Sequence, residues 1–282
     1  MAKVMRNCIG LFGLLVCLAA AYSRAQKNEG TPTAAPSQDS GPVHFKMRRL
    51  HKESGNDCRG GPKYDLDACV WIDIEYPEII SAPSESAKAK INRAIQQWVL
   101  AELDGALETS GPIAESQEAL VQDFIEFEKK YRDSDAGFWF ERKVMVVFES
   151  ANVLSLSRDQ AGDTGGIHPN GRLDYANFRP STGEPISLRD ILKPGFEKPL
   201  NAIGEARFRA SNNLDPKASL SENNFWFTKD QFQLNDNFFI DAKGLTFQYN
   251  SYEVTCFACG APSVFLSYSD LRGLLRPDAN IP

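Results

Sequence analysis

Histidine, methionine and cysteine are scarce in this sequence, with 3, 4 and 6 residues respectively among 282. His168 is the only histidine outside the strand-like segment that holds His44 and His51, and a lone histidine without a companion at ligand spacing does not predict a metal site. The Gly-x-Ser-x-Gly, Ser-x-x-Lys and His-Glu-x-x-His motifs are absent, which argues against the common hydrolases that carry them. Phosphate-binding glycine patterns are absent too, so we expect no cofactor and no metal.

Long apolar runs are also missing, apart from one near the N-terminus. The stretch from Cys8 to Tyr22 is too short to span a membrane comfortably, follows Lys3 and Arg6, and precedes a Ser-Arg-Ala cleavage pattern that ends at Ala25. Residues 1–25 are therefore predicted to be a removable signal peptide, with a retained anchor as the alternative. This predicts a periplasmic or secreted protein whose mature chain has no membrane span.

Removing the signal peptide makes the chain more acidic. The segment carries three basic residues and no acidic one, so the mature chain keeps 28 basic and 37 acidic residues, a net charge of −9. This balance argues against nucleic acid or anionic lipid as the main partner and favours basic partners. Residues 26–42 are rich in Pro, Gly, Ser and Thr and are predicted to be a flexible linker.

Four cysteines remain after removal of the signal peptide: Cys58, Cys69, Cys256 and Cys259. An even number of cysteines in an exported chain predicts two disulfides with three possible connectivities, of which pairing of neighbours is the simplest. The Cys-x-x-Cys spacing of Cys256 and Cys259 is also found in redox centres and in half of a zinc site. The surrounding sequence lacks the helix start and the further ligands that those sites need, so a structural disulfide is favoured.

Hydrophobic periodicity predicts an α+β fold, with antiparallel sheets and packed helices. Apolar residues alternate over 68–76 and again over 138–148, where Arg142 interrupts the apolar face, whereas helical spacing follows the predicted cap Ser84. Strands and helices do not alternate regularly, which argues against a doubly wound sheet. The length fits one large domain or two intimately packed small ones, divided here into an N-terminal region (43–150) and a C-terminal domain (151–282).

Two segments of the C-terminal part are candidates for binding. The first is the loop with Gly165, Gly166, His168 and Asn170, where glycines allow close approach of a ligand to the backbone. A tight connection between strands, with a structural histidine, is the alternative. The second segment holds Tyr252 and Glu253 before the Cys-x-x-Cys pair, and Glu253 is a possible general acid or base if a partner lies within reach.

The order of these motifs resembles a domain family found in the bacterial envelope. The matching positions are the glycine–histidine loop, Asn177, Thr182-Gly183, Leu188 with Asp190, and the run from Tyr252 to Gly260. They are similar to the extracytoplasmic domain of the lysozyme-sensing anti-sigma factor RsiV, which also precedes the catalytic domain of the peptidoglycan deacetylase PdaC. In this chain Ile167 replaces a small loop residue, and cysteines replace proline and alanine in the last motif.

This resemblance implies an α+β fold, a place in the envelope and a surface that binds lysozyme or a peptidoglycan fragment. It does not carry over the regulation or the enzymatic activity of those relatives, because their other segments are absent. The expected function is therefore an exported, non-catalytic envelope binding module. Two alternatives stay open: an envelope hydrolase that uses His168 with Glu253 or Asp174, and a structural accessory domain without a dedicated ligand.

Overall fold

The computed structural model describes residues 41–53, 70–101, 119, 121–122, 138–163 and 168–282. Its strands are β1 (His44–Glu53), β2 (Val70–Ser81), β3 (Phe138–Glu149), β4 (Leu154–Asp163), β5 (Asn170–Phe178), β6 (Phe238–Ile240), β7 (Gly244–Gln248) and β8 (Ser263–Ser267). Its helices are α1 (Glu85–Leu100), α2 (Leu188–Ile191), α3 (Glu197–Ser211) and α4 (Tyr268–Leu271). Short 3-10 turns span Ser221–Asn223, Thr228–Asp230 and Phe257–Cys259.

Strands β1 to β5 form one sheet in chain order, and its pairs are antiparallel except for β2 with β3. The sheet is mostly antiparallel and the α+β prediction is confirmed, but the β2–β3 pair differs from the expected pattern. Because parallel neighbours need a crossover, the chain passes through α1 between these two strands. The proposed division at residue 150 lies between β3 and β4, which are neighbours in this sheet.

Helix α1 covers one face of the five-stranded sheet. Its predicted cap is confirmed, since the Ser84 hydroxyl accepts a hydrogen bond from the Ala87 N–H at 3.1 Å. The buried side of the helix packs against apolar side chains of β2, β3 and β4 to form the first core, whose members include Ile72, Ile74, Ile91, Ile95, Val99, Val144, Val146 and Leu156. Burying this face, at about 25 cal/mol per Å² of apolar surface, holds the helix on the sheet.

Arg142 does not interrupt the strand but fills a position in this core. The side chain is fully buried, and Nη1 donates hydrogen bonds to the carbonyls of Trp98, Val99 and Ala101 at 2.8–2.9 Å. Helix α1 has no basic residue in its last turn, and no N–H group of the helix donates to its final carbonyls. The sheet therefore supplies the cation that the C-terminus of this helix favours.

A second, three-stranded sheet forms the other half of the molecule, in the order β6-β7-β8 with antiparallel pairs. It packs with α3 around a second core rich in aromatic rings, including Phe208, Phe227, Phe232, Phe238, Phe247 and Tyr249. Strands β6 and β7 form a hairpin that turns between Ile240 and Gly244. Asp190 caps the start of α2, since its carboxylate accepts hydrogen bonds from the N–H and hydroxyl of Ser187 at 2.8 and 2.6 Å. Within the described part of the chain, no helix is long and apolar enough to cross a membrane.

Candidate functional site

Asparagine side chains join the second sheet to strand β5, which lies at one edge of the first sheet. The Asn250 carbonyl oxygen accepts a hydrogen bond from the Leu173 N–H at 2.7 Å. Asn237 accepts from the Tyr175 N–H at 2.8 Å and donates to the Leu173 carbonyl at 2.8 Å. These amides use backbone groups that an edge strand would otherwise expose. As a result, the start of β5 is fixed beside the end of β7.

This junction brings together the two segments singled out in the sequence. His168 lies two residues before β5 and Tyr252 lies two residues after Asn250, and His168 Nε2 is 3.0 Å from the Tyr252 hydroxyl. His168 Nδ1 is 2.9 Å from the Pro169 carbonyl oxygen. Since a carbonyl can only accept, Nδ1 carries the proton in the neutral imidazole, and Nε2 then accepts from the tyrosine hydroxyl.

A third ring completes the group, and we call His168, Tyr252 and Phe257 the aromatic cluster. The His168 and Phe257 ring centroids are 3.9 Å apart with planes inclined by 17°. Tyr252 lies 5.8 Å from Phe257 and 6.1 Å from His168, at inclinations of 29° and 22°. Tyr252 is 43% exposed, and His168 and Phe257 are half-buried. His168 and Phe257 are therefore stacked face to face, and Tyr252, the most exposed of the three, lies beside them with its hydroxyl on the imidazole.

The backbone at Tyr252 has the left-handed conformation, with φ of 63°. This region is unfavourable for a bulky non-glycine residue and costs about 1 kcal/mol or more. The neighbouring Glu253 holds the turn: its N–H donates to the Asn250 carbonyl at 3.1 Å, and its carboxylate accepts from the Asn250 N–H at 2.8 Å. Asn235 donates to the other carboxylate oxygen at 2.8 Å. Glu253 thus fixes the turn that exposes the Tyr252 ring.

Phe257 is fixed by a disulfide that encloses it. Cys256 and Cys259 are bonded, with Cα atoms 5.1 Å apart, which confirms the predicted pairing of these two cysteines. Between them the chain makes a 3-10 turn in which the Cys259 N–H donates to the Cys256 carbonyl at 2.9 Å. The disulfide and the turn together restrict where the Phe257 ring can lie. Cys58 and Cys69 lie outside the described residues.

The other predicted site residues have separate positions. Asn170 begins β5 and pairs with Gly162 of β4, and Gly165 and Gly166 lie outside the described residues. Asp174 is buried and forms ion pairs with Arg158 at 2.5 Å and Arg172 at 2.7 Å. Its carboxylate is therefore engaged in ion pairs with arginines of the first sheet.

Phe257 and the asparagines of the junction were not predicted to contribute to the site. Phe257 stands between two cysteines, and an aromatic residue in so short a loop is the signal that sequence reasoning could have used. No group of three or more His, Cys, Asp or Glu side chains is placed to hold a metal ion in the residues that the structure describes.

Part of the chain matches the model of a family of unknown function. Residues 189–269 match the model of DUF3298. A solved DUF3298 family protein from Pseudomonas aeruginosa PAO1 is 18% identical, with a TM-score of 0.62 over 84% of this chain and 97% of that chain. Another, from Bacteroides fragilis NCTC 9343, is 17% identical, with a TM-score of 0.65 over 84% and 95%. At this identity the likeness establishes a shared fold. No curated protein matches the chain significantly.

Proposed function

We propose that this protein is an exported, non-catalytic binding module of the cell envelope that holds a glycan fragment of peptidoglycan on the aromatic cluster. The single observation that carries the proposal is the group of three nearly parallel rings, His168, Phe257 and Tyr252, which is partly open to solvent. Sugar rings present apolar C–H groups next to hydroxyls, and a binding surface for them combines aromatic faces with a few placed polar groups. Here the polar groups are the His168 ring and the Tyr252 hydroxyl.

The strained backbone at Tyr252 supports a role in binding. Left-handed non-glycine residues persist where the surrounding structure enforces them, and they are common at ligand sites. Glu253 and Asn250 supply that constraint, so the ring is held in place before a ligand arrives. Preorganisation of this kind lowers the entropic cost of binding.

The hydrogen bonds of Glu253 favour binding over the hydrolase alternative. Both oxygens of its carboxylate accept hydrogen bonds, from Asn235 and from the Asn250 N–H, whereas His168 bonds to Pro169 and Tyr252. A catalytic dyad of His168 and Glu253 would require the carboxylate to leave its own turn. This supports a positioning role for Glu253.

Titration calorimetry with a soluble N-acetylglucosamine–N-acetylmuramic acid fragment tests the proposal. Phe257→Ala should weaken binding about fivefold, because it removes one stacked ring worth roughly 1 kcal/mol. Tyr252→Phe keeps the ring and should have a smaller effect. Phe265→Ala removes an exposed aromatic residue of β8 outside the cluster and serves as the matched control. Absence of binding by the unmodified protein, or equal binding by Phe257→Ala, would refute the glycan proposal.

Lysozyme is a second candidate ligand, favoured by charge. The net charge of −9 on the predicted mature chain suits a basic protein, and an association steered by charge weakens as salt is added. A pull-down with immobilised lysozyme at low and high salt tests this candidate. We expect the protein to be retained at low salt and less so at high salt. Failure to retain it at low salt would exclude lysozyme as the ligand.

A further inference from the structure

We propose that the Cys256–Cys259 disulfide is a thiol-exchange site whose redox state sets the geometry of the aromatic cluster. The disulfide encloses Phe257, whose ring centroid is 3.9 Å from that of His168. Opening the ring of the disulfide frees the backbone that aims Phe257 at the histidine. The inference does not depend on which ligand the cluster binds.

The disulfide is placed where a thiol can reach it. Cys259 and the adjacent Ala258 are exposed, and Cys256 is half-buried. Access of this kind separates a disulfide that can exchange from one sealed in a core. Cys259 is the more accessible of the two residues, so its sulfur is the expected point of attack.

The chain on either side of the disulfide has its own anchors. Before it, the Val254 carbonyl accepts a hydrogen bond from the Trp226 N–H at 2.7 Å, and the buried Thr255 hydroxyl donates to the Asn224 carbonyl at 2.9 Å. After it, the Pro262 carbonyl accepts from the Tyr249 N–H at 3.0 Å. The Ala261 carbonyl also accepts from the Gln248 side chain at 3.1 Å, so reduction releases residues 256–260 and the rest of the second sheet keeps its contacts.

The exchange needs an external dithiol and balances as follows. A thiolate of the dithiol attacks the Cys259 sulfur, the Cys256–Cys259 bond breaks, and the Cys256 thiolate leaves and takes up a proton. The second thiol of the reductant then attacks its own mixed disulfide and releases Cys259 as a thiol. The protein gains two electrons and two protons, and the dithiol is oxidised to its disulfide.

Alkylation of the native full-length protein tests the accessibility of the disulfide. The protein is treated with dithiothreitol, then with iodoacetamide, and each cysteine is located by peptide mapping, while circular dichroism monitors the fold. We expect Cys256 and Cys259 to be labelled with the circular dichroism spectrum unchanged. Labelling of these cysteines only after a denaturant is added would overturn the proposal.

Nuclear magnetic resonance of the His168 ring tests the coupling to the cluster. Stacking on Phe257 should shift the imidazole signals upfield, and reduction should remove that shift. Cys256→Ser/Cys259→Ser should show the reduced spectrum with or without dithiothreitol, which separates this pair from the other cysteines. Phe257→Ala should lack the shift in both states. An upfield shift that persists after confirmed reduction would overturn the inference. Neither readout requires a ligand, so a failure of this inference can be distinguished from a failure of the glycan proposal.

Discussion

Replacing the buried Arg142 with methionine should lower the free energy of unfolding by about 3 kcal/mol. The guanidinium donates to three carbonyls at the end of α1, at 2.8–2.9 Å, and to the Gln160 side chain at 3.1 Å. The Val99 carbonyl lies in the buried core, and leaving it without a hydrogen-bond donor costs about 1–3 kcal/mol of stability. The carbonyls of Trp98 and Ala101 are partly accessible to water, so leaving them unpaired costs less. Methionine fills most of the apolar volume of the arginine stem.

A gain opposes this loss, because Arg142 is a charge in a core. Burial lowers its pKa from the ordinary value of an arginine to about 9, with a further contribution from the positive charge of Arg158. Removing the guanidinium recovers part of that desolvation cost, which is why the expected loss is about 3 kcal/mol and not the sum of all four hydrogen bonds. At neutral pH the guanidinium stays protonated, so the comparison is made there.

Urea unfolding monitored by circular dichroism measures the effect. Lys143→Met is the matched control, since Lys143 is the next residue of β3 and is exposed, and its change should stay within about 0.5 kcal/mol. Arg142→Lys keeps the charge but offers a single ammonium in place of a planar guanidinium. Its free energy of unfolding should therefore lie between those of the unmodified protein and Arg142→Met. An Arg142→Met protein within about 1 kcal/mol of the unmodified chain would show that the helix carbonyls do not depend on this side chain.

Two further predictions concern other buried or capping polar groups. Asn177→Leu should lower the free energy of unfolding by about 3 kcal/mol, because the buried amide accepts from the Ile240 N–H and donates to the Phe238 carbonyl. Urea unfolding measures the effect, and Asn152→Leu, at an exposed asparagine, is the control. Asp270 has a pKa below its ordinary 3.8, chiefly through its hydrogen bond from Arg207 and then through Ser267. The stability that the Asp270 carboxylate contributes is therefore fully present above pH 3.8 and is lost as pH falls through the folded pKa. The difference in free energy of unfolding between the unmodified protein and Asp270→Asn should shrink on acidification from neutral pH to about 3. A difference that stays constant over this range would contradict the prediction.

Apolar periodicity was sufficient to predict the fold class and several of the regular elements. Alternation over 138–148 and helical spacing after Ser84 each report which face of an element is buried, and the structure has β3 and α1 at these places. The cysteine spacing also led to the correct pairing of Cys256 with Cys259. These signals are local, since each depends on residues within one element or one loop.

The polar contacts were not predictable from the same signals. Arg142 reaches carbonyls more than 40 residues earlier in the chain, and Asn237 reaches strand β5 more than 60 residues away. A periodic pattern shows only that such a residue faces inward, and it does not identify the distant backbone group that pairs with it. The sequence likewise marked His168 and Tyr252 as separate candidates, because nothing local indicates that an asparagine at each end of the β6–β7 hairpin fixes β5 beside them.

The aromatic cluster extends beyond the part of the chain that the DUF3298 model matches. That match, over residues 189–269, includes Tyr252 and Phe257, whereas His168 precedes it and reaches the cluster through β5 of the first sheet. The hydrogen bonds of Asn237 and Asn250 to β5 therefore decide whether the third ring is present. A protein that shares the matched region without these asparagines, or without a histidine before the corresponding edge strand, would have two of the rings and lack the stacked pair of His168 and Phe257. It follows that the DUF3298 match alone does not transfer this site from one protein to another, and that the junction between the two sheets has to be compared as well.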